Sequence, residues 1–130
     1  MAIVRPFRCV RPNKNLVDKV AALPYDVYNR KEAKEEVKKE PLSFLKIDRA
    51  ESQFSDDVDT YDPRVYAKAK EMLEYDIEKG VYEEINNPYY YIYELTMDGR
   101  KQTGLVATTS IDEYLNNTIK KHENTRADKS

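Results

Sequence analysis

The apolar positions of this chain change their spacing several times, and each change predicts an element. "AIVRPFRCV" is rich in β-branched residues and predicts a first strand. Pro6 removes a ladder donor, so that strand belongs at an edge or carries a bulge. In "PNKNLVDKVAALP", Asn13 or Asn15 can cap a helix over 14–22 that Pro24 stops. Asn29 with Glu32 three residues on is a capping-box signature for "RKEAKEEVKKE", a helix over 30–39 with Glu35 and Lys39 as an i,i+4 pair. Only Ala33 and Val37 give it an apolar stripe, which predicts a surface helix. Pro41 ends it, and "LSFLKID" then has the length and composition of a strand. "RAESQFSDDVDTYD" reads as a mobile polar loop.

The clearest periodicities follow. Asp62 caps and Pro63 takes the first helical position, where its missing N–H costs nothing. Val65, Ala69, Met72, Leu73 and Ile77 make a one-sided stripe, and Gly80 stands where a C′ residue belongs, so a helix is predicted over 63–79. A hairpin is predicted over 88–109, because Asp98-Gly99 supplies the positive φ angles of a type I′ turn between two alternating runs. Tyr89, Tyr91, Tyr93, Leu95 and Met97 share one face, while Tyr90, Ile92, Glu94 and Thr96 share the other. Ser110 with Glu113 reads as a capping box for a short helix through Leu115.

After Asn117 the apolar pattern stops, and "TRAD" near the end is a helix-start signal with no helix behind it. The expectation is an α+β domain over 1–117, then a charged segment over 118–130 leading into a further region of a longer protein. The fold class is α+β: a small, mostly antiparallel sheet with a Tyr-rich hairpin and helices near 14–22, 30–39 and 63–79.

Composition narrows the functional classes. At 130 residues the chain suits one ordinary domain, and a hydrophobic fraction of 40% with 35% charged residues makes it unusually polar. A net charge of −2 arises from 22 basic and 24 acidic residues, which gives no whole-domain footprint for nucleic acid. Cys9 is the single cysteine, so an intrachain disulfide is excluded. "MAIVRPFRCV" lacks the apolar run of a signal peptide, and no stretch approaches the ~20 apolar residues of a membrane-spanning helix. A cytoplasmic protein without membrane attachment is expected.

Candidate chemistry is sparse. Three glycines cannot build a phosphate loop, and one cysteine with one histidine cannot make a structural zinc site, so no metal-binding residues are assigned. The run Tyr89–Tyr91 with Tyr93 offers a stacking platform, but sheet propensity and core packing explain it better, since the basic interleaving such platforms need is missing. In "LPYDV", Pro24 stiffens the approach, Tyr25 offers a ring and hydroxyl, and Asp26 places a carboxylate after the turn. That arrangement suits a ligand hydroxyl or cation, and equally an Asp bonded to its own backbone. Lys121, His122, Glu123, Thr125 and Arg126 crowd cations, an imidazole, a carboxylate and a hydroxyl together. Phosphate chemistry uses such groups, although a solvated, frayed terminus explains them as well.

"RPFRCVRPN", "VAALPYDV", "SFLKID", "GLVATTSIDEY" and "IKKHENTRADK", in this order, resemble the N-terminal part of the uncharacterised domain-of-unknown-function family 1015. Members of that family are longer and continue into a GHHR-type motif, and have been likened to the ParB/sulfiredoxin-like nucleotide-binding fold. The resemblance implies a small phosphorylated ligand or nucleotide, with a divalent metal as a possible companion in the full-length protein. His122, Glu123, Thr125 and Arg126 match the family's His-Glu-x-Thr segment, and Pro24, Tyr25 and Asp26 match its Pro-Tyr-Asp segment. On chemical grounds Glu123 would be the general base or a metal carboxylate, His122 the proton shuttle, Lys121 and Arg126 phosphate clamps, and Asp26 an orienter of a hydroxyl or divalent ion. The leading expectation is a phosphotransfer or phosphate-ester enzyme. The rival is a nucleotide-responsive binding module akin to partition proteins, with little catalysis.

Overall fold

In the computed structural model, which describes residues 1–121, the chain divides into two compact units. One is Val10–Glu84; the other joins Met1–Cys9 to the chain from Ile85 onward. Both mix helices with antiparallel strands, so the α+β class holds. Three separate two-stranded sheets take the place of one small sheet.

In Val10–Glu84, strand β2 (Val10–Pro12) pairs with β3 (Tyr82–Glu84), Val10 opposite Glu84 and Pro12 opposite Tyr82. Helix α1 covers only Val17–Val20, and neither predicted asparagine caps it: the cap position is Leu16. Asn13 instead turns its side-chain oxygen onto the Asn15 N–H, at 3.0 Å. Helix α2 (Arg30–Lys39) starts with the full capping box, the Asn29 side chain on the Glu32 N–H and the Glu32 carboxylate on the Asn29 N–H. Lys39 pairs with Glu36 at 3.3 Å rather than with Glu35. The helix is not purely superficial, since Ala33 is completely buried.

Two expectations in this unit are overturned. "SFLKID" is not a strand: helix α3 spans Leu45–Asp48. Leu42, Phe44 and Ile47 pack on a core of Val20, Val81 and Tyr82. Phe44 and Ile47, three apart, share one face of a helical turn, whereas a strand would send them to opposite sides. The Ser43 hydroxyl accepts the Leu45 N–H at 3.3 Å and starts the turn. The acidic stretch after Arg49 is likewise no featureless loop. Ala50–Gln53 is a 3₁₀ turn, and Ala50, Glu51, Ser52 and Val58 are buried. Arg30 fastens it, its guanidinium donating to the carbonyls of Val58 and Ser55, both at 2.7 Å, and of Glu51 at 3.2 Å.

Helix α4 (Pro63–Glu78) forms as the periodicity predicts, capped by Asp62 with Pro63 in its first turn. Its stripe serves two cores. Leu73 and Ile77 join the Val20–Val81–Tyr82 cluster, while Ala69 and Met72 join Phe54 around Ala50, Val58 and Val65. Gly80 ends the helix at φ +75°, the left-handed conformation of a C′ residue.

In the other unit, β4 (Tyr91–Met97) and β5 (Arg100–Val106) form the predicted hairpin, with Asp98 at φ +50° and Gly99 at φ +75°. β1 (Val4–Arg5) pairs with β6 (Thr108–Thr109). Pro6 interrupts the predicted first strand, which resumes only as a bridge from Phe7 to Tyr89. The tyrosines stitch this N-terminal segment. Tyr90 donates to the Val4 carbonyl at 3.2 Å, Tyr91 to that of Phe7 at 3.5 Å, and the Phe7 and Tyr91 rings meet at 5.2 Å. No residue described in this unit is buried, so core packing does not account for the tyrosine run. Helix α5 (Ile111–Leu115) lacks its predicted capping box: Ser110 makes no side-chain cap. The Glu113 carboxylate accepts the Ile3 N–H at 3.0 Å instead.

Candidate functional site: a lysine-rimmed cleft

Helices α2 and α4 both pack against α3 and the Ala50–Gln53 turn, and a cleft of about 670 Å³ opens in this region. Helical spacing builds its rim. Lys34 and Lys38 stand one turn apart on α2, and Lys68 stands one turn before Met72 on α4. Lys46, from α3, completes four cations, and no carboxylate of the described residues lines the cleft. Its apolar surface comes from Val37, Pro41, Phe54 and Met72, with Ser52 and Gln53 supplying a hydroxyl and an amide. The size lies within the range usual for small-molecule sites.

The four ammonium groups are held differently. Lys46 lies 2.7 Å from Asp76, whose side chain is 2% exposed, so this lysine is committed to a buried charge. Lys34 lies 2.6 Å from Asp56 and Lys68 lies 2.9 Å from Glu71, both partners being largely solvated. The Lys34 ammonium, by hydrogen bond and charge, draws the Asp56 carboxyl below its ordinary value. Lys38 makes no ion pair among the described residues. Two like charges at i,i+4 cost an isolated helix about 0.2–0.5 kcal/mol. Lys34 has a counter-charge to offset this, and Lys38 has none among the described residues.

Of the sequence-derived candidates, Pro24, Tyr25, Asp26 and Lys121 are not among the residues that line the cleft. Pro24, Tyr25 and Asp26 sit at the 3₁₀ turn Tyr25–Val27, closed by the Val27 N–H donating to the Pro24 carbonyl at 3.0 Å. The Asp26 carboxylate takes no part in that closure and is exposed. Lys121, in the other unit, lies 4.5 Å from the centroid of the Tyr114 ring, a cation–π contact. His122, Glu123, Thr125 and Arg126 lie outside the described residues. Sequence reading passed over the lysines of the cleft because "RKEAKEEVKKE" looks like a solvated face. Its one signal was the i,i+4 lysine pair beside Val37.

Among the described residues, the donor set of the cleft does not suit a protein-held divalent ion, since no Asp, Glu, His or Cys of theirs lines it. No group of three metal-ligating side chains occurs among the described residues, and no helix among them is long and apolar enough to cross a membrane.

The family model for a protein of unknown function, DUF1015, matches residues 4–130. The chain belongs to the DUF1015 family. No curated protein and no solved structure matches it. Membership in DUF1015 carries no stated activity, so the chemistry rests on the residues themselves.

Proposed function

We propose that this DUF1015 chain binds a phosphorylated small ligand, of which a nucleotide is one kind, in the cleft beside α2 and α4. One observation carries the reading: four lysines line one cleft together with Val37, Pro41, Phe54 and Met72, and no carboxylate of the described residues is in its lining. Cations with hydroxyl and amide donors hold phosphate oxygens by charge-assisted hydrogen bonds. The described residues of the lining bring cations, a hydroxyl and an amide, the groups that hold a phosphate. Such a donor set suits a ligand-responsive module, the reading akin to partition proteins that the family resemblance implies. Catalysis in the phosphotransfer sense would fall to His122 and Glu123, with Lys121, Thr125 and Arg126 on the phosphate and Asp26 orienting a hydroxyl or metal.

The test pairs a binding measurement with a product assay. Thermal shift with ATP, ADP and pyrophosphate should show stabilisation that the double variant Lys34→Glu/Lys38→Glu abolishes while its fold, by circular dichroism, persists. Stabilisation without product formation supports the module. Turnover that disappears in His122→Ala and Glu123→Gln supports the enzyme. An unaltered melting curve at millimolar concentrations of all three ligands rejects the proposal.

A further inference from the structure

The same cleft carries a narrower conclusion, which rests on the phospho-ligand reading: we infer that its ligand is a nucleoside phosphate, bound by ring as well as by charge. A ligand that was phosphate alone would need only the rim. Here the cleft of about 670 Å³ is lined, besides the lysines, by the half-buried side chains of Phe54 and Met72. Both belong to the cluster around Ala50, Val58 and Val65, so the packing beneath them fixes their position. A flat aromatic body gains from both, by stacking on the ring and by contact with the polarisable sulfur. Sequence-tolerant base binding elsewhere relies on the same pairing of aromatic side chain and cationic track.

The ion pairs rank the lysines as phosphate ligands. Among the described residues Lys38 has no counter-charge to give up. Lys34 and Lys68 hold solvated carboxylates, Asp56 and Glu71, that a phosphate can displace at little cost. Lys46 does not exchange its partner, because Asp76 would be left buried and unpaired. Lys46 therefore supplies fixed positive potential, while Lys38 and Lys34, one helical turn apart, grip the phosphates. Phe54 and Met72 receive the base.

Calorimetric titration of the full chain, without divalent metal, separates these parts using ATP, tripolyphosphate and adenosine. ATP should bind about tenfold or more tightly than tripolyphosphate, the increment that one stacked base supplies. Phe54→Ala should erase that advantage and leave tripolyphosphate affinity unchanged. Lys38→Ala should weaken both anions and leave adenosine unchanged. Equal affinity for ATP and tripolyphosphate, each sensitive to Lys38→Ala, overturns the nucleoside assignment and leaves the phospho-ligand reading standing. Binding of neither anion defeats both. ATP affinity indifferent to Phe54→Ala and Lys38→Ala moves the nucleotide out of this cleft and overturns the inference. Should Phe54→Ala melt the adjoining core, Phe54→Leu keeps the apolar volume without the ring and serves the same comparison.

Discussion

Val10–Glu84 holds every buried residue among those described, and the unit made of Met1–Cys9 and the chain from Ile85 onward holds none. The second is not short of apolar side chains: Ile92, Tyr93, Leu95, Met97 and Leu105 are all more than half exposed. It has a seven-rung hairpin ladder, a sound turn and tyrosine hydroxyls tied to backbone carbonyls. The first has poor local signals in places, including a four-residue helix without a side-chain cap and an acidic segment that the sequence presents as loop. Hydrogen bonding and turn chemistry can therefore complete an element without burying it, and burial can impose an element that local chemistry does not announce. The candidate site belongs to the unit with the core, where Phe54 and Met72 are held from beneath.

That contrast can be broken most sharply at Asp76. Asp76→Asn leaves the Lys46 ammonium without its buried partner, and should destabilise Val10–Glu84 by about 3–5 kcal/mol in chemical denaturation. Arg30→Lys comes next. A single ammonium cannot reach the carbonyls of Glu51, Ser55 and Val58 together, so the loss should be about 1.5–3 kcal/mol, with amide exchange over 50–58 accelerating first. In the other unit, Gly99→Ala puts a Cβ on a residue at φ +75°. Nothing lies within 4 Å of that Cβ, so the cost is conformational alone, about 1–2 kcal/mol, read as faster exchange across the Tyr91–Met97 and Arg100–Val106 ladder. A smaller effect is expected with acid. Hydrogen bonds from the Arg64 side chain and backbone hold the Asp62 carboxyl down at about 2. The stabilisation is fully present above the ordinary carboxyl range near ~4 and drains away as pH falls towards that depressed value. The melting-temperature gap between the protein and Asp62→Ala should accordingly narrow from pH 5 to pH 2. Smallest of all, Leu95→Thr removes a side chain already 51% exposed and should change stability by less than ~0.5 kcal/mol. A large loss there would show that the hairpin face is covered in solution.

Much of the fold was readable where one local rule sufficed. Asn29 with Glu32, Asp62 with Pro63, Asp98-Gly99 and Gly80 each act within a few residues of themselves, and each does what its chemistry requires. The misreadings share a cause. Ser110 with Glu113 satisfies the capping-box spacing, yet the Glu113 carboxylate goes to Ile3, 110 positions away in the chain. Leu42, Phe44, Leu45 and Ile47 fit strand and helix about equally, and the Val20–Val81–Tyr82 core selects the helix. Of the candidate site, only the Lys34–Lys38 spacing was visible. Lys46, Lys68 and Phe54 come from other segments, and nothing in "SFLKID" or "YAKAKEML" says that they face one cavity.

By itself, then, the sequence determined where helices α2 and α4 begin, where α4 and the hairpin turn, the mixed α+β class and the family. These depend on interactions spanning a few residues or on the order of motifs, both of which a linear reading contains. Tertiary structure alone decided that an acidic stretch becomes a buried turn under Arg30, that the tyrosine strands stay uncovered, and that four lysines share one cleft. The physical reason is that burial and charge proximity depend on which distant segments meet, and the desolvation of Asp76 beneath Lys46 exists only once they have met.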